Sequence, residues 1–233
     1  MNRLLPLCAT VIAACLISAC SPQTPAPQVA EAPPAAEEPV EGGHDGPLVP
    51  MMTCDSNAMF NAATTKASLV AAHGAENIRE EKAAWVDSEL DAIVLFPDNP
   101  AMRAEVLWFG DKSAMPEAAR VSGGPESLWV GPEGLLLGST IADIETANGG
   151  PFMMTAFENH NHGEVSNFLG GKLDGAAGAG CRVSLSLNPG PGAPEAAAAA
   201  LSGDSEKSFR SDSPEVRAAQ PVITEMTILF FKP

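Results

Sequence analysis

The densest set of side chains able to hold an ion is Glu158-Asn-His160-Asn-His162-Gly-Glu164. On an extended strand alternate side chains share a face, so Glu158, His160, His162 and Glu164 would all point one way. Two imidazoles with one or two carboxylates suit zinc, copper or nickel. The same stretch carries Asn159, Asn161 and Gly163, which mark a turn, and a turn would scatter those ligands. Both readings stay open on the residues alone, and the solvated polar loop is the plainer one. Met51-Met52 and Met153-Met154 offer thioethers for Cu(I), but neighbours on a strand face opposite ways, so core filling is the simpler account. There is no G-x-S-x-G elbow, H-E-x-x-H, P-loop or dinucleotide fingerprint. Nothing assigns the Ser and His residues to a triad, which geometry rather than order defines. The chain therefore reads as a non-catalytic binding module, with a metal-binding protein using this loop as the alternative.

The cysteines give an address. Arg3 and the apolar stretch Leu4–Leu16 form a secretory leader, too short to be a spanning helix, and the leader ends at Leu16-Ile-Ser-Ala-Cys20. A small residue before a cysteine resembles the lipobox of bacterial lipoproteins. The resemblance implies cleavage after residue 19, a diacylglycerol on the Cys20 thiol and an acylated new amine. The expected location is the cell envelope, facing the periplasm. Ser21 rather than Asp after the lipid site favours the outer membrane. With Cys8 and Cys15 in the leader and Cys20 lipidated, Cys54 and Cys181 remain. In an oxidising compartment a disulfide between them is the default expectation. Two buried thiols, or a two-thiolate metal site, are the competing readings.

Composition separates a tether from a domain. Over the whole chain 29 Asp and Glu face 13 Lys and Arg, a net charge of -16. Such a surface repels phosphate backbones, so nucleic acid is not an expected partner. Residues 21–50 hold eight prolines, five acidic residues and no Lys or Arg. Such a segment cannot bury enough apolar area to offset its ordering entropy, and it reads as a disordered acidic tether. At about 3 Å per residue in polyproline II it would hold the domain well away from the bilayer. The expected organisation is a signal peptide over 1–19, lipidated cysteine and tether over 20–50, and an α+β domain over 51–187. An exposed low-complexity insertion over 188–220 and a closing strand over 221–233 complete it.

An internal repeat supplies the elements. Thr65-Lys-Ala-Ser-Leu-Val-Ala-Ala-His-Gly74 aligns with Thr140-Ile-Ala-Asp-Ile-Glu-Thr-Ala-Asn-Gly149, and an apolar Ile78 or Phe152 follows. Thr at the first position with Ser or Asp three residues on is a capping box, and the glycine ends a short helix. Helices this short must pack on a sheet. Pro97-Asp-Asn-Pro100 separates strands expected over 92–96 and 104–109 as a hairpin. Further strands are expected over 152–157, 182–187 and 222–231, with a short piece at 128–130. The fold class is α+β: short helices on an antiparallel sheet, in two similar halves, as one domain after the tether. Trp85, Trp108 and Trp129 read as anchors of a small core.

Residues 134–152, with Asn148-Gly149, Pro151-Phe152, Phe157, Gly170-Gly171 and Gly180-Cys181, resemble an uncharacterised bacterial exported and lipoprotein family. That family combines an N-G-x-P-F motif, an aromatic Gly-rich loop and a G-C strand, and here Glu158–Gly163 replaces the aromatic loop. The helix signature also distantly resembles the α+β modules of outer-membrane assembly lipoproteins, which bind protein partners. The lipidated start, the tether, the repeated α+β unit and the missing catalytic motifs together point to membrane attachment and an envelope protein partner.

Overall fold

Each copy of the repeat becomes an eight-residue helix fixed at its start by its own threonine. In a computed structural model, residues 49–53, 59–85, 88–112, 114–157, 163–175, 180–204 and 206–231 are described, all within the unit Asp45–Pro233. Helix α1 spans Lys66–His73 and α2 spans Ile141–Asn148. Thr65 Oγ1 accepts from the Ser68 amide at 3.1 Å while Ser68 Oγ accepts from the Thr65 amide at 2.9 Å. The Thr140–Asp143 pair repeats this at 3.3 and 2.8 Å. The Thr140 backbone N–H, and then its hydroxyl, hold the Asp143 carboxyl below its ordinary range. The ends differ. Gly149 adopts the left-handed conformation (φ 79°, ψ 16°), whereas Gly74 has positive φ but extended ψ (82°, 146°).

Among the described residues, nine strands follow in chain order. They are β1 (Ile78–Trp85), β2 (Ser88–Leu95), β3 (Ala104–Trp108), β4 (Ala118–Ser122), β5 (Met153–Thr155), β6 (Gly163–Asn167), β7 (Cys181–Asn188), β8 (Ser208–Arg210) and β9 (Val222–Phe230). They form one antiparallel sheet ordered β1-β2-β3-β4-β9-β7-β6-β5-β8. Apart from edge strand β8, the order is palindromic about the β4·β9 pair: α1 leads into β1 to β4, α2 leads into β5, β6, β7 and β9, and the two runs meet there. The two similar halves and the α+β class stand as expected. The hairpin also forms, with Ala92 opposite Leu107 and Leu95 opposite Ala104.

One sheet face and the helices enclose the main core. Ile93, Val106, Trp108, Ile228 and Leu185 pack with Leu69 of α1 and Ile141 and Ile144 of α2. Burying such a side chain fully contributes about 1.5–3 kcal/mol. Trp108 and Trp129 are anchors as expected, their indole N–H groups donating to the Ala114 and Met102 carbonyls at 3.0 and 3.1 Å. Trp85 instead lies half-buried against a second cluster on the opposite face, made of Ala83, Leu90, Ala92, Val94, Leu107 and Ala118.

Residues 188–220 correct the sequence reading. They are mostly exposed, as expected, but they form packed elements, α3 (Glu195–Ala200), edge strand β8 and α4 (Pro214–Ala219), rather than a structureless insertion. The alanine run of α3 buries no residue, as its lack of an apolar stripe implies. The anchors are spaced singly: Leu201, Val216 and Ala219 are fully buried, and Ser213 caps α4 by accepting from the Val216 amide at 3.4 Å. Among the described residues, no helix is long and apolar enough to cross a membrane.

Candidate functional site

Of the four metal-ligand candidates, Glu158, His160 and His162 lie outside the described residues. Glu164 sits on β6 opposite Ser186 and accepts a hydrogen bond from the Ser184 hydroxyl. Among the described residues, no three His, Cys, Asp or Glu side chains come together as a metal site. Cys20 and Cys54 also lie outside them. Cys181 opens β7, buried and disulfide-bonded. The methionine pairs divide as strand geometry requires: Met52 and Met154 are buried while Met51 is exposed.

The N-G-x-P-F segment is built around a buried amide. Asn148 Nδ2 donates to the carbonyls of Gly150 (3.1 Å), Pro151 (3.3 Å) and Phe168 (3.0 Å), and its Oδ1 accepts from the Leu173 amide at 3.2 Å. One side chain thus ties the end of α2 to the turn after β6. A Cβ on Gly171 would lie 2.1 Å from Asn148 Oδ1, so only glycine fits there. Nearby, Glu145 accepts from the buried Ser211 hydroxyl at 2.6 Å and pairs with Arg217 at 2.5 Å. Ser211 is fully buried, so these contacts clasp residues 188–220 to α2.

Seven charges alternate in sign on the sheet face away from the helices. Asp98 meets Arg79 at 3.0 Å, Arg79 meets Glu81 at 3.7 Å, and Glu81 meets Arg103 at 3.2 Å. Arg103 meets Glu105 at 2.9 Å, Glu105 meets Arg120 at 2.6 Å, and Arg120 reaches Glu225 at 3.8 Å. Arg120 also donates to the Ala84 carbonyl at 3.0 Å. In a flat sheet β1 and β4 would stand about 14 Å apart, three spacings of about 4.8 Å. An arginine cannot span that, so the β1–β2 hairpin curls over the second apolar cluster. The charges satisfy one another, which makes this row a structural clasp.

Beside α1 a shallow hollow of about 640 Å³ is lined by Thr65, Lys66, Ala67, Val70, Ala71 and Lys112. Both lysines pair with Glu80, Lys112 at 2.5 Å. Their hydrogen bonds, Lys112 first, hold the Glu80 carboxyl down to about 2. Because this pKa is depressed, the pairing contributes stability above the ordinary value near 4.5 and loses it as pH falls toward 2. Glu80→Gln is expected to flatten the fall in melting temperature across that window. Equal acid sensitivity in both proteins would refute the assignment.

The surface that stands out is a small ladder where the domain begins. Met51 bridges Val130 in parallel, and Val130 bridges Leu136 antiparallel. The Met52 amide donates to the Val130 carbonyl at 2.8 Å, the Val130 amide to Pro50 at 2.9 Å, and the Gly131 amide to Leu135 at 2.7 Å. Alternation sends Met52, Trp129, Leu135 and Leu137 into the core, where Trp129 stacks on Phe60 at 5.3 Å. The outward set is Val49, Met51, Leu128, Val130 and Leu136, and four of these are 44–60 % exposed. A ladder solvated on one side ordinarily alternates to polar residues there. This one is apolar on both sides. The sequence signal was the run Leu135-Leu136-Leu137, in which one leucine of three must turn outward on a strand.

Compared with protein-family models, curated proteins and solved structures, the chain finds no match.

Proposed function

We propose that this protein is a lipid-anchored component of the cell envelope, facing the periplasm, whose domain binds a protein partner without catalysing a reaction. The lipobox-like Ala19-Cys20, the proline-rich acidic stretch over 21–50 and the resemblance to exported lipoproteins support the anchoring. The observation that carries the binding role is the ladder that is apolar on its outer side. Exposed contiguous apolar surface of this kind marks interaction sites in folded proteins. It lies at residues 49–51, where the tether enters the domain, so a partner held there sits at the anchored end of the chain.

The test has two arms. Mass spectrometry of the mature protein is expected to find an acylated Cys20, and Cys20→Ala is expected to move the protein from the membrane to the soluble fraction. In envelopes crosslinked before extraction, the full chain is expected to retain a protein that an unrelated lipidated control does not. A bare Cys20 thiol would remove the anchor, and recovery no better than the control would remove the binding role.

A further inference from the structure

The outward face of the ladder has a charge character as well as an apolar one. Glu126 and Glu133, both exposed, flank Leu128, Val130 and Leu136. No Lys or Arg occurs over residues 121–171 or 49–65. Residues 49–53 and 126–137 therefore carry apolar side chains and carboxylates with no cation among them, and Arg103, beside the Ala101 that Leu128 bonds, is paired with Glu81 and Glu105.

That rim discriminates among occupants. A second copy would bring two more carboxylates against Glu126 and Glu133, and like charges brought together in a partly desolvated contact repel. The tether meets the same objection, with five acidic residues and no cation over residues 21–50. An anionic leaflet repels the rim through its negative surface potential. A segment with apolar side chains flanked by Lys or Arg satisfies both features, because complementary rims raise the rate of encounter and exclude wrong partners. We infer that the Val49, Met51, Leu128, Val130 and Leu136 face receives a cationic, apolar segment of a protein partner. This rests on the binding role proposed above and names the chemistry of the partner.

Three synthetic amphipathic peptides without tryptophan, sharing one leucine stripe and carrying Lys, Gln or Glu on the polar face, test it against the full mature chain. Trp129, between Leu128 and Val130 and buried directly beneath them, reports occupancy by fluorescence. The lysine peptide is expected to bind about tenfold more tightly than the glutamate peptide at low salt, with the gap closing as salt rises. Leu128→Ser with Leu136→Ser is expected to weaken the lysine peptide about tenfold without moving the melting temperature, because both side chains are exposed. Glu126→Gln with Glu133→Gln is expected to abolish the preference for lysine over glutamine.

Unchanged lysine-peptide binding in the serine variant would show attraction to the overall negative charge and overturn the assignment. A dimer in sedimentation that the serine variant dissolves would place a second copy there and also overturn it. Leucine-dependent flotation of the Cys20→Ala chain, which lacks the proposed lipid, with neutral phosphatidylcholine vesicles would do the same in favour of lipid. If the serine variant keeps the partner captured from crosslinked envelopes, the binding role stands and this face is not its seat. If the wild-type chain captures none, the role itself falls.

Discussion

Asn148→Asp is expected to destabilise the domain by about 4 kcal/mol, because a buried carboxylate would face three carbonyl oxygens that now receive an N–H. In a domain of this size that corresponds to a fall in melting temperature of about 8–16 °C. The effect has a pH signature. Burial among acceptors would raise the pKa of the new carboxyl, so the loss is full above that raised value and eases as acid protonates the group. Asn148→Ala keeps the orphaned carbonyls without the charge and is expected to cost about 2–3 kcal/mol, with no such pH dependence. Gly171→Ala attacks the same junction from outside, since its Cβ would press on Asn148 Oδ1 at 2.1 Å. Combined with Asn148→Ala it should cost less than the two singly, because each removes part of what the other disturbs. Thermal melts of these variants between pH 4 and 8 are sufficient. A melting temperature for Asn148→Asp within about 2 °C of the parent at pH 7 would contradict the role assigned to the amide.

The second large effect concerns Cys181. It is disulfide-bonded at the first residue of β7, and we propose Cys54 as its partner. Such a bridge closes a loop of more than a hundred residues, and in the chain-entropy model its loss costs about 3–5 kcal/mol. Cys54→Ser and Cys181→Ser are each expected to lower stability by that order, and the double variant by no more than either alone. Peptide mapping without reduction should recover residues around 54 and 181 as one crosslinked species. Recovery of an alkylated, free Cys54 from native protein would sink the pairing.

The elements legible in sequence were those with local punctuation. Thr65 and Thr140 each sit three residues before a side chain that caps back, so both helices declare their starts. Pro97 and Pro100 likewise fix the turn between β2 and β3. Strand β1 had no such signal. Ile78-Arg-Glu-Glu-Lys-Ala-Ala-Trp85 is charged because it is an edge strand, and edges carry charge against stray pairing. Only pairing with β2 along its whole length makes it a strand. Residues 188–220 misled because low complexity hides sparse anchors: Val216 and Ala219 keep a helical spacing for a single turn only, and Leu201 stands alone. The apolar ladder was harder still. Its bridges join residues 51, 130 and 136, so the run Leu135-Leu136-Leu137 shows that one leucine turns outward, while long-range contacts decide which one and what stands beside it.

The palindromic strand order has a consequence for the timing of assembly. Strand β9 sits between β4 and β7, yet it is the last of the nine to leave the ribosome. Until then neither half has its inner neighbour, and both would offer raw backbone edges to each other and to anything nearby. In a nascent polypeptide of this design the two halves cannot join until β9 is available. That delay is compatible with the export proposed above, with closure left to the final keystone segment.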